Sequence, residues 1–289
     1  MITFLGPVGA TFSHDAYNVL SHAFGVPSAR ETECVPAAKN GEILSLILGH
    51  GGYGCIAMET RAEGRVAEPL ESFMELLQTY ETTQECPLGI AGAVMLKLCF
   101  CLMVRPDIDL NSISRIIAHP KALGACKARI KELRVSTVEA SSNGEAARLV
   151  AESDEYVSCA ALGPRSAAEK YGLKILSDSF EDREAITTFF LIAPKPYSVV
   201  TGEENRLLVV FQVPHEPGSY VRSLVPFAEE GLNLMQVHSV HVENGTYCFA
   251  IEVEANNQEL AALERAVKKF ERRVKKCLIF GPFAVLKRG

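Results

Sequence analysis

The feature that most constrains the fold is a recurring pattern of a short apolar strand, a polar turn and a helix. The first unit joins Ile2–Leu5 to a helical pattern over 15–24 through the glycine-containing turn 6–10. Later apolar segments of the same kind cover 54–58, 113–118 and 156–162. Strands that alternate with helices predict an α/β fold, and in open sheets of this type ligands bind beyond the carboxyl ends of the strands.

The character of the sequence changes between 193 and 205. Residues 193–196 and 202–205 bring two prolines, a glycine and charged residues between apolar strands, as is typical of a linker. Beyond this linker the hydrophobic pattern predicts the order βαββαβ, and Asn244-Gly245 is a strong hairpin signal. We therefore expect a ferredoxin-like domain at 203–289 after an α/β region at 1–195.

Composition and charge exclude several classes of protein. Hydrophobic residues make up 48% and charged residues 22% of the 289 residues, which is typical of a folded chain of about two domains. The net charge of -6 argues against a nucleic-acid partner. The first residues show neither a basic region nor a long apolar stretch, so we expect no signal peptide and no membrane partner. The nine dispersed cysteines contain no CxxC pair, which favours reduced thiols in the cytoplasm, without disulfides or a metal site.

Hydroxyl side chains follow the first strand where its helix begins. Thr11 and Ser13, with Phe12 between them, come directly after the turn 6–10. Backbone N–H groups and hydroxyls at the start of a helix bind anions such as carboxylates. The sequence thus predicts a carboxylate-binding site at this turn, and an ordinary βα turn is the alternative.

A series of short motifs follows one order along nearly the whole chain. The segments of the first region are 4–14 with Thr11-Phe12-Ser13-His14, 116–126 with His119-Pro120-Lys121-Ala122-Leu123, 142–147, 166–176 and 182–192. The segments of the second region are Pro217-Gly218-Ser219-Tyr220 and Gly231-Leu232-Asn233-Leu234. Each motif alone is weak evidence, but in this shared order they resemble the motifs of the prephenate dehydratase family with a C-terminal ACT domain.

The resemblance implies a fold and a reaction. It implies two periplasmic-binding-protein-like lobes with the active site between them, lobe one at about 1–80 and 178–195 and lobe two at about 81–177. It also implies no cofactor, and an ACT domain at 203–289 that forms a homodimer and mediates amino-acid feedback. The family reaction removes water and carbon dioxide from prephenate to give phenylpyruvate. Such an enzyme mainly orients two carboxylates and assists departure of the ring hydroxyl.

The chain departs from the family at several polar positions. Glu59 is retained, but Thr60 and Arg61 replace the two residues that follow it in the family. Lys121 replaces a glutamine, Asn143 beside Ser142 replaces a threonine, and Thr188 replaces the arginine of Thr-Arg-Phe. The glycine loop also contains one extra residue, Ala10. Arg61 and Lys121 add cations at strand ends, whereas the cation expected at Thr188 is lost. Arginine and lysine both bind carboxylates, so positive charge for a dicarboxylate is relocated. The alternative is that both cations are solvated surface residues.

Three functions fit these residues. The favoured one is a prephenate decarboxylase that loses carbon dioxide without aromatising the ring, as would suit a specialised metabolic route. A dehydratase with tolerated substitutions, serving phenylalanine synthesis, is the second, and a non-catalytic sensor of prephenate or an amino acid is the third. The expected catalytic residues are Glu59, Thr187 and Thr188. The expected substrate-binding residues are Thr11, Phe12, Ser13, Thr60, Arg61, Lys121, Ser142, Asn143 and Phe189.

The C-terminal region departs from the family as well. His238-Ser239-Val240-His241 stands where the family has Glu-Ser-Arg-Pro, and Gly218-Ser219-Tyr220 stands where it has Gly-Ala-Leu. The resemblance implies that these family motifs help to bind phenylalanine. We therefore expect phenylalanine feedback to be lost and dimerisation through the domain to be kept.

Overall fold

A computed structural model describes residues 1–60, 64–65, 67–198, 200–242 and 246–288 and arranges them in two sheets. The strands are β1 (Ile2–Leu5), β2 (Cys34–Ala37), β3 (Tyr53–Thr60), β4 (Gly64–Arg65), β5 (Leu88–Leu98), β6 (Cys101–Val104), β7 (Arg115–Ala118), β8 (Ser136–Glu139), β9 (Cys159–Gly163), β10 (Lys174–Ser177), β11 (Ala185–Pro194), β12 (Glu204–Gln212), β13 (Asn233–Val242), β14 (Thr246–Asn256) and β15 (Lys276–Arg288). The helices are α1 (Phe12–Phe24), α2 (Ile43–His50), α3 (Ala67–Thr79), α4 (Pro120–Ala125), α5 (Lys127–Leu133), α6 (Asn143–Glu152), α7 (Arg165–Tyr171), α8 (Ser219–Glu229) and α9 (Leu260–Glu271).

Lobe one is built on the part of the larger sheet with the order β5-β11-β3-β1-β2. Strand β1 pairs in parallel with β2 and β3, whereas β11 pairs antiparallel with β3 and β5. Helix α1 buries Ala16, Tyr17 and Leu20 against this sheet, because their spacing places them on one helical face. The helix begins where Thr11 accepts a hydrogen bond from the His14 N–H group.

Lobe two is built on the smaller sheet, whose order is β10-β6-β9-β7-β8. The chain enters this lobe through Cys99 and Phe100 and leaves it through 178–184. The sequence assigned β5 to lobe two, at about 81–177, but this strand lies in the larger sheet between β15 and β11. The apolar run over 90–104 contains most of β5 and the whole of β6, and hydrophobicity alone does not show that the two strands belong to different sheets.

The C-terminal domain has the predicted order βαββαβ, formed by β12, α8, β13, β14, α9 and β15. Its helices cover one face of the sheet, and Phe211, Phe227 and Phe270 lie in the core between them. Strands β13 and β14 form the predicted antiparallel hairpin. The predicted turn Asn244-Gly245 lies outside the described residues.

Strand β15 connects the C-terminal domain to lobe one. Its first part pairs with β12, and its last part, Val285 to Arg288, runs parallel to Ala93–Leu96 of β5. The strand bends at Gly281, whose φ of 112° is a conformation that favours glycine. The other face of the C-terminal sheet packs on α3, where the rings of Phe73 and Phe280 meet edge to face at 5.1 Å. The C-terminal domain and lobe one therefore share a sheet and a core.

The glycine loop of lobe one is docked on lobe two. Ala10 is fully buried in the core of lobe two, together with Ile117 and Ala146. Gly144 at the start of α6 leaves room for this loop, because a Cβ atom there would lie 2.6 Å from the Ala10 carbonyl oxygen. The extra residue that distinguishes this loop from the family pattern thus contributes to the contact between the lobes.

A Gly144→Ala substitution tests this docking. We expect it to lower the free energy of unfolding by about 1–3 kcal/mol, because the added methyl group overpacks the contact with Ala10. Gly49→Ala is the matched control, since Gly49 lies in α2 with nothing within 4 Å of its Cβ position. That change should raise the unfolding free energy slightly through helix propensity. Urea denaturation measures both, and equal effects of the two substitutions would contradict the docking.

Candidate active site

The residues that the sequence predicts for the site follow the carboxyl ends of β1 and β3 in lobe one and of β7 in lobe two. At the end of β1 the hydroxyl of Thr11 donates to the Leu5 carbonyl oxygen at 2.8 Å and accepts from the His14 N–H at 3.3 Å. Its only proton is therefore used within the turn. Thr11 shapes the turn, and a ligand that took its hydrogen bond would have to displace the contact with Leu5.

The two residues that follow Thr11, at the start of α1, are packed against the crossing to lobe two or buried. The ring of Phe12 meets Phe100 edge to face at 5.1 Å, at the point where the chain crosses to lobe two. Ser13 is 3% exposed. The segment that the sequence predicts to bind a carboxylate therefore has little exposed side-chain surface.

On the lobe-two side, His119 organises the end of β7. Its ring Nδ1 accepts the Lys121 backbone N–H at 3.3 Å, and the backbone N–H of His119 donates to Oδ1 of Asn143 at 3.0 Å. Burial lowers the pKa of His119, and nearby Lys121 lowers it further, against the opposing charges of Glu139 and Glu68. A neutral ring that accepts through Nδ1 carries its proton on Nε2, so His119 presents a neutral N–H donor.

Two predicted substrate-binding residues of lobe two have structural hydrogen bonds. Ser142 caps α6 by accepting the Glu145 N–H at 3.1 Å, and it is 4% exposed. Oδ1 of Asn143 accepts the hydrogen bond from the backbone N–H of His119. Lys121 lies half-buried at the start of α4 beside His119. The sequence interpretation missed His119 as a site residue, although a histidine directly before a helix-starting proline is a signal for a helix cap.

Strand β11 presents its two threonines on opposite faces. Thr188 pairs with Met95 and shares its face with Phe190, which packs in the core beside α3. Thr187 shares its face with Phe189, which packs in the core beside α1 and lobe two. Both hydroxyl residues are buried, at 3% and 4% exposure. Thr187 is thus the one on the side of the sheet that carries the turn at Thr11.

The predicted acid of lobe one lies next to these threonines. Glu59 is half-buried on β3 and pairs with Thr188, and Thr60 pairs with Thr187. The pairing shifts register between Thr188 and Phe189, so the end of β3 is locally irregular. Arg61 lies outside the described residues, as does the side chain of Thr60, and their predicted roles in substrate binding stay predictions.

Polar contacts from α7 of lobe two reach lobe one beside the docked loop. Ser166 donates to Oδ2 of Asp15 at 2.9 Å, and Lys170 donates to the Val8 carbonyl oxygen at 2.6 Å and to Glu31 at 2.9 Å. Burial raises the pKa of Asp15 to about 6, with a smaller rise from Glu169, although the Ser166 hydrogen bond opposes it. Lobe closure is therefore supported by both apolar and polar contacts.

The described part of the chain offers neither a metal-binding cluster nor a membrane-spanning helix. Its residues contain no group of three or more His, Cys, Asp or Glu residues placed to hold a metal ion. None of their helices is long and apolar enough to cross a membrane.

These features define a two-lobed α/β protein with a periplasmic-binding-protein-like region and a C-terminal ferredoxin-like domain. The family model of prephenate dehydratase matches residues 2–197. The chain belongs to the prephenate dehydratase family.

Individual relatives extend the similarity beyond that region. The chain is 30% identical to a prephenate dehydratase of Corynebacterium glutamicum over 275 residues, covering 91% of this chain and 81% of that protein. It is 28% identical to a prephenate dehydratase of Methanocaldococcus jannaschii, covering 82% of each. The crystal structure of prephenate dehydratase from Arthrobacter aurescens in complex with L-Phe matches with a TM-score of 0.79 at 25% identity, covering 98% of this chain and 89% of that one.

The opposite faces of the two threonines lead to a paired prediction. Thr187→Val should lower kcat/KM for prephenate at least about tenfold, because it removes a hydroxyl on the cleft side of β11 and keeps the shape of the side chain. Thr188→Val makes the same change on the other face and should stay within about threefold of the unchanged protein. Steady-state kinetics give kcat/KM for both variants. A larger loss of kcat/KM in the Thr188 variant than in the Thr187 variant would contradict the assignment of faces.

Proposed function

We propose that this chain is a cofactor-independent lyase that binds prephenate in the cleft and removes carbon dioxide while the ring keeps its hydroxyl group. The observation that carries the proposal is Thr188. The family has a guanidinium at this position, whereas Thr188 is a short, buried hydroxyl side chain facing Met95 and the core beside α3. The guanidinium that the family has opposite Glu59 is thus missing from β11, and we propose that its loss changes how Glu59 positions the substrate or relays a proton.

The two possible outcomes differ in what happens to one electron pair. The ring carboxylate leaves as carbon dioxide, and the electrons of the broken carbon–carbon bond move into the ring diene. They either expel the ring hydroxyl, which takes up a proton and leaves as water, or they are captured by a proton on a ring carbon. Each outcome consumes one proton. Because the bound substrate is the same, stabilisation of the two transition states decides the branching.

Lys121 and Arg61 are the two cations that we assign to a dicarboxylate substrate. Lys121 stands at the start of α4 on the lobe-two side, where an ammonium group would attract a carboxylate as a point charge. Arg61 follows β3 on the lobe-one side in sequence. We propose that both hold carboxylates of the substrate.

An Arg61→Ala variant with an unchanged KM for prephenate would remove Arg61 from this scheme.

A prephenate dehydratase that forms phenylpyruvate is the second candidate, and specific observations favour it. Glu59 and Thr187, which the family also has, lie at the cleft end of paired strands β3 and β11. His119 adds a neutral N–H donor that would assist departure of the hydroxyl. The C. glutamicum and M. jannaschii relatives are both prephenate dehydratases by name.

Product analysis separates these candidates. The purified protein is incubated with prephenate at neutral pH, and the product is followed by ultraviolet absorbance and mass, with an enzyme-free incubation as the control. We expect a product that has lost carbon dioxide, has kept its hydroxyl and lacks an aromatic ring. Enzyme-dependent phenylpyruvate would overturn the decarboxylase and establish the dehydratase. Binding of prephenate without turnover would instead indicate a sensor.

We further propose that the protein acts in the cytoplasm as a homodimer joined through its C-terminal domain. Strand β13 is the outermost strand of the sheet at that end. Exposed apolar side chains lie on or near it: Val221, Met235, Val237 and Tyr247, with 40–66% of their surface accessible. An edge strand with apolar neighbours is suited to pairing with a second copy.

Light scattering should give twice the 31.5 kDa mass of the chain, and a single-chain mass at micromolar concentration would contradict the dimer.

A further inference from the structure

The two segments that cross between the lobes are bonded to each other. The outgoing segment contains Cys99 and Phe100, and the returning segment covers 178–184. The Phe180 N–H donates to the Phe100 carbonyl oxygen at 2.8 Å. The angle between the lobes therefore depends on how these two segments are held together.

Glu181 holds the outgoing segment with its side chain. Its Oε2 accepts the Phe100 N–H at 2.9 Å, and its Oε1 accepts the Ser179 hydroxyl at 2.7 Å. The residue is 7% exposed, and of the carboxylate residues whose side chains are described only Glu181 and Glu252 are buried. A buried carboxylate is costly unless it is hydrogen bonded, so the position of Glu181 is specified by its two donors.

The returning segment is anchored to lobe two directly after Glu181. The carboxylate of Asp182 caps α5 by accepting the N–H groups of Ala128 and Arg129 at 2.7 and 3.0 Å. On the other side of the crossing, Glu184 lies 3.4 Å from Lys97 of lobe one. Glu181 thus belongs to the lobe-two side of the hinge and fixes Phe100 relative to that lobe.

Phe100 carries this constraint to the candidate site. Its buried ring meets Phe12 edge to face at 5.1 Å, with an interplanar angle of 78°. Phe12 is the first residue of α1 and lies between Thr11 and Ser13. A shift of the Phe100 peptide would displace the ring against which the α1 terminus packs.

We infer that Glu181 is a positioning residue, which acts through Phe100 to set where the start of α1 lies in the cleft. The kinetic effect that we expect rests on the proposed function, because it is measured as turnover of prephenate. The role is geometric: the carboxylate serves as an acceptor for two donors and takes no part in proton transfer. Glutamine can replace it, because its oxygen can accept the Phe100 N–H while its amide group donates to the Ser179 oxygen.

The test compares Glu181→Ala with Glu181→Gln. Misplacement of a binding element by about 1 Å costs up to about a hundredfold in rate, so Glu181→Ala should lower kcat/KM for prephenate by about 10- to 100-fold, with a rise in KM. Glu181→Gln should stay within about threefold. Glu184→Ala is the matched control, because it removes an exposed carboxylate from the same segment and should also stay within about threefold.

The possible outcomes are distinct. Unchanged kinetics of Glu181→Ala would overturn the inference, and so would equal loss in Glu181→Gln, which would show that the charge is needed. A lower melting temperature with unchanged KM and kcat would mean a structural role only. If Glu181→Ala does not fold, Ser179→Ala, which removes one of the two donors, should show a smaller loss of the same kind, and no loss would overturn the inference.

A measurement without substrate separates this inference from the proposed function. Hydrogen exchange of the amides at 12–16 should be faster in Glu181→Ala than in the unchanged protein and in Glu184→Ala. Failure of the unchanged protein to turn over prephenate would count against the proposed function only. Equal exchange rates in all three proteins would count against Glu181 as the residue that positions α1.

Discussion

The structure depends on the contact between the glycine loop of lobe one and the start of α6 in lobe two. Ala10 lies in the core of lobe two, and Gly144 provides the space for it. Because interiors are packed to high density, this contact allows little adjustment in the position of one lobe relative to the other. The same contact has a chemical consequence: the Ala10 carbonyl approaches the helix terminus that would otherwise be open to an anion.

On the proposed function, the substrate carboxylates are bound by groups other than the α6 terminus. His119 remains a neutral donor, since burial and Lys121 both lower its pKa. Lys121 supplies positive charge on the lobe-two side. Thr188 stands where the family has a guanidinium, and it faces the core beside α3. On the proposed function, a site that holds carboxylates and lacks the family's guanidinium opposite Glu59 is the physical basis for a changed fate of the ring hydroxyl.

The sequence was sufficient for the architecture because the architecture follows periodicity. Alternating strands and helices predicted the α/β lobes, and the order βαββαβ of the C-terminal domain is confirmed. The assignment of β5 to lobe two was wrong. Sheet membership depends on long-range pairing, here with β11 and β15, which a local apolar run does not encode.

The site was less predictable than the fold because hydrogen-bonding partners are distant in sequence. Ser142 and Asn143 are used by a helix cap and by the His119 peptide, and the residue type alone does not distinguish this use from ligand binding. The opposite faces of Thr187 and Thr188 follow from the two-residue period of a strand and were within reach of sequence reasoning. The hydrogen bond that joins Glu181 to Phe100 spans 81 residues of sequence, so sequence reasoning could not predict it.

The proposed function depends on prephenate binding between the two lobes. Hydrogen exchange of the Thr187→Val variant with saturating prephenate tests this binding most directly, because slow turnover keeps the substrate bound during labelling. We expect slower exchange at 11–16, 119–123 and 187–189, with unchanged exchange at 213–221 of the C-terminal domain. Slower exchange confined to the C-terminal domain, or no change in any segment, would show that prephenate does not bind between the lobes.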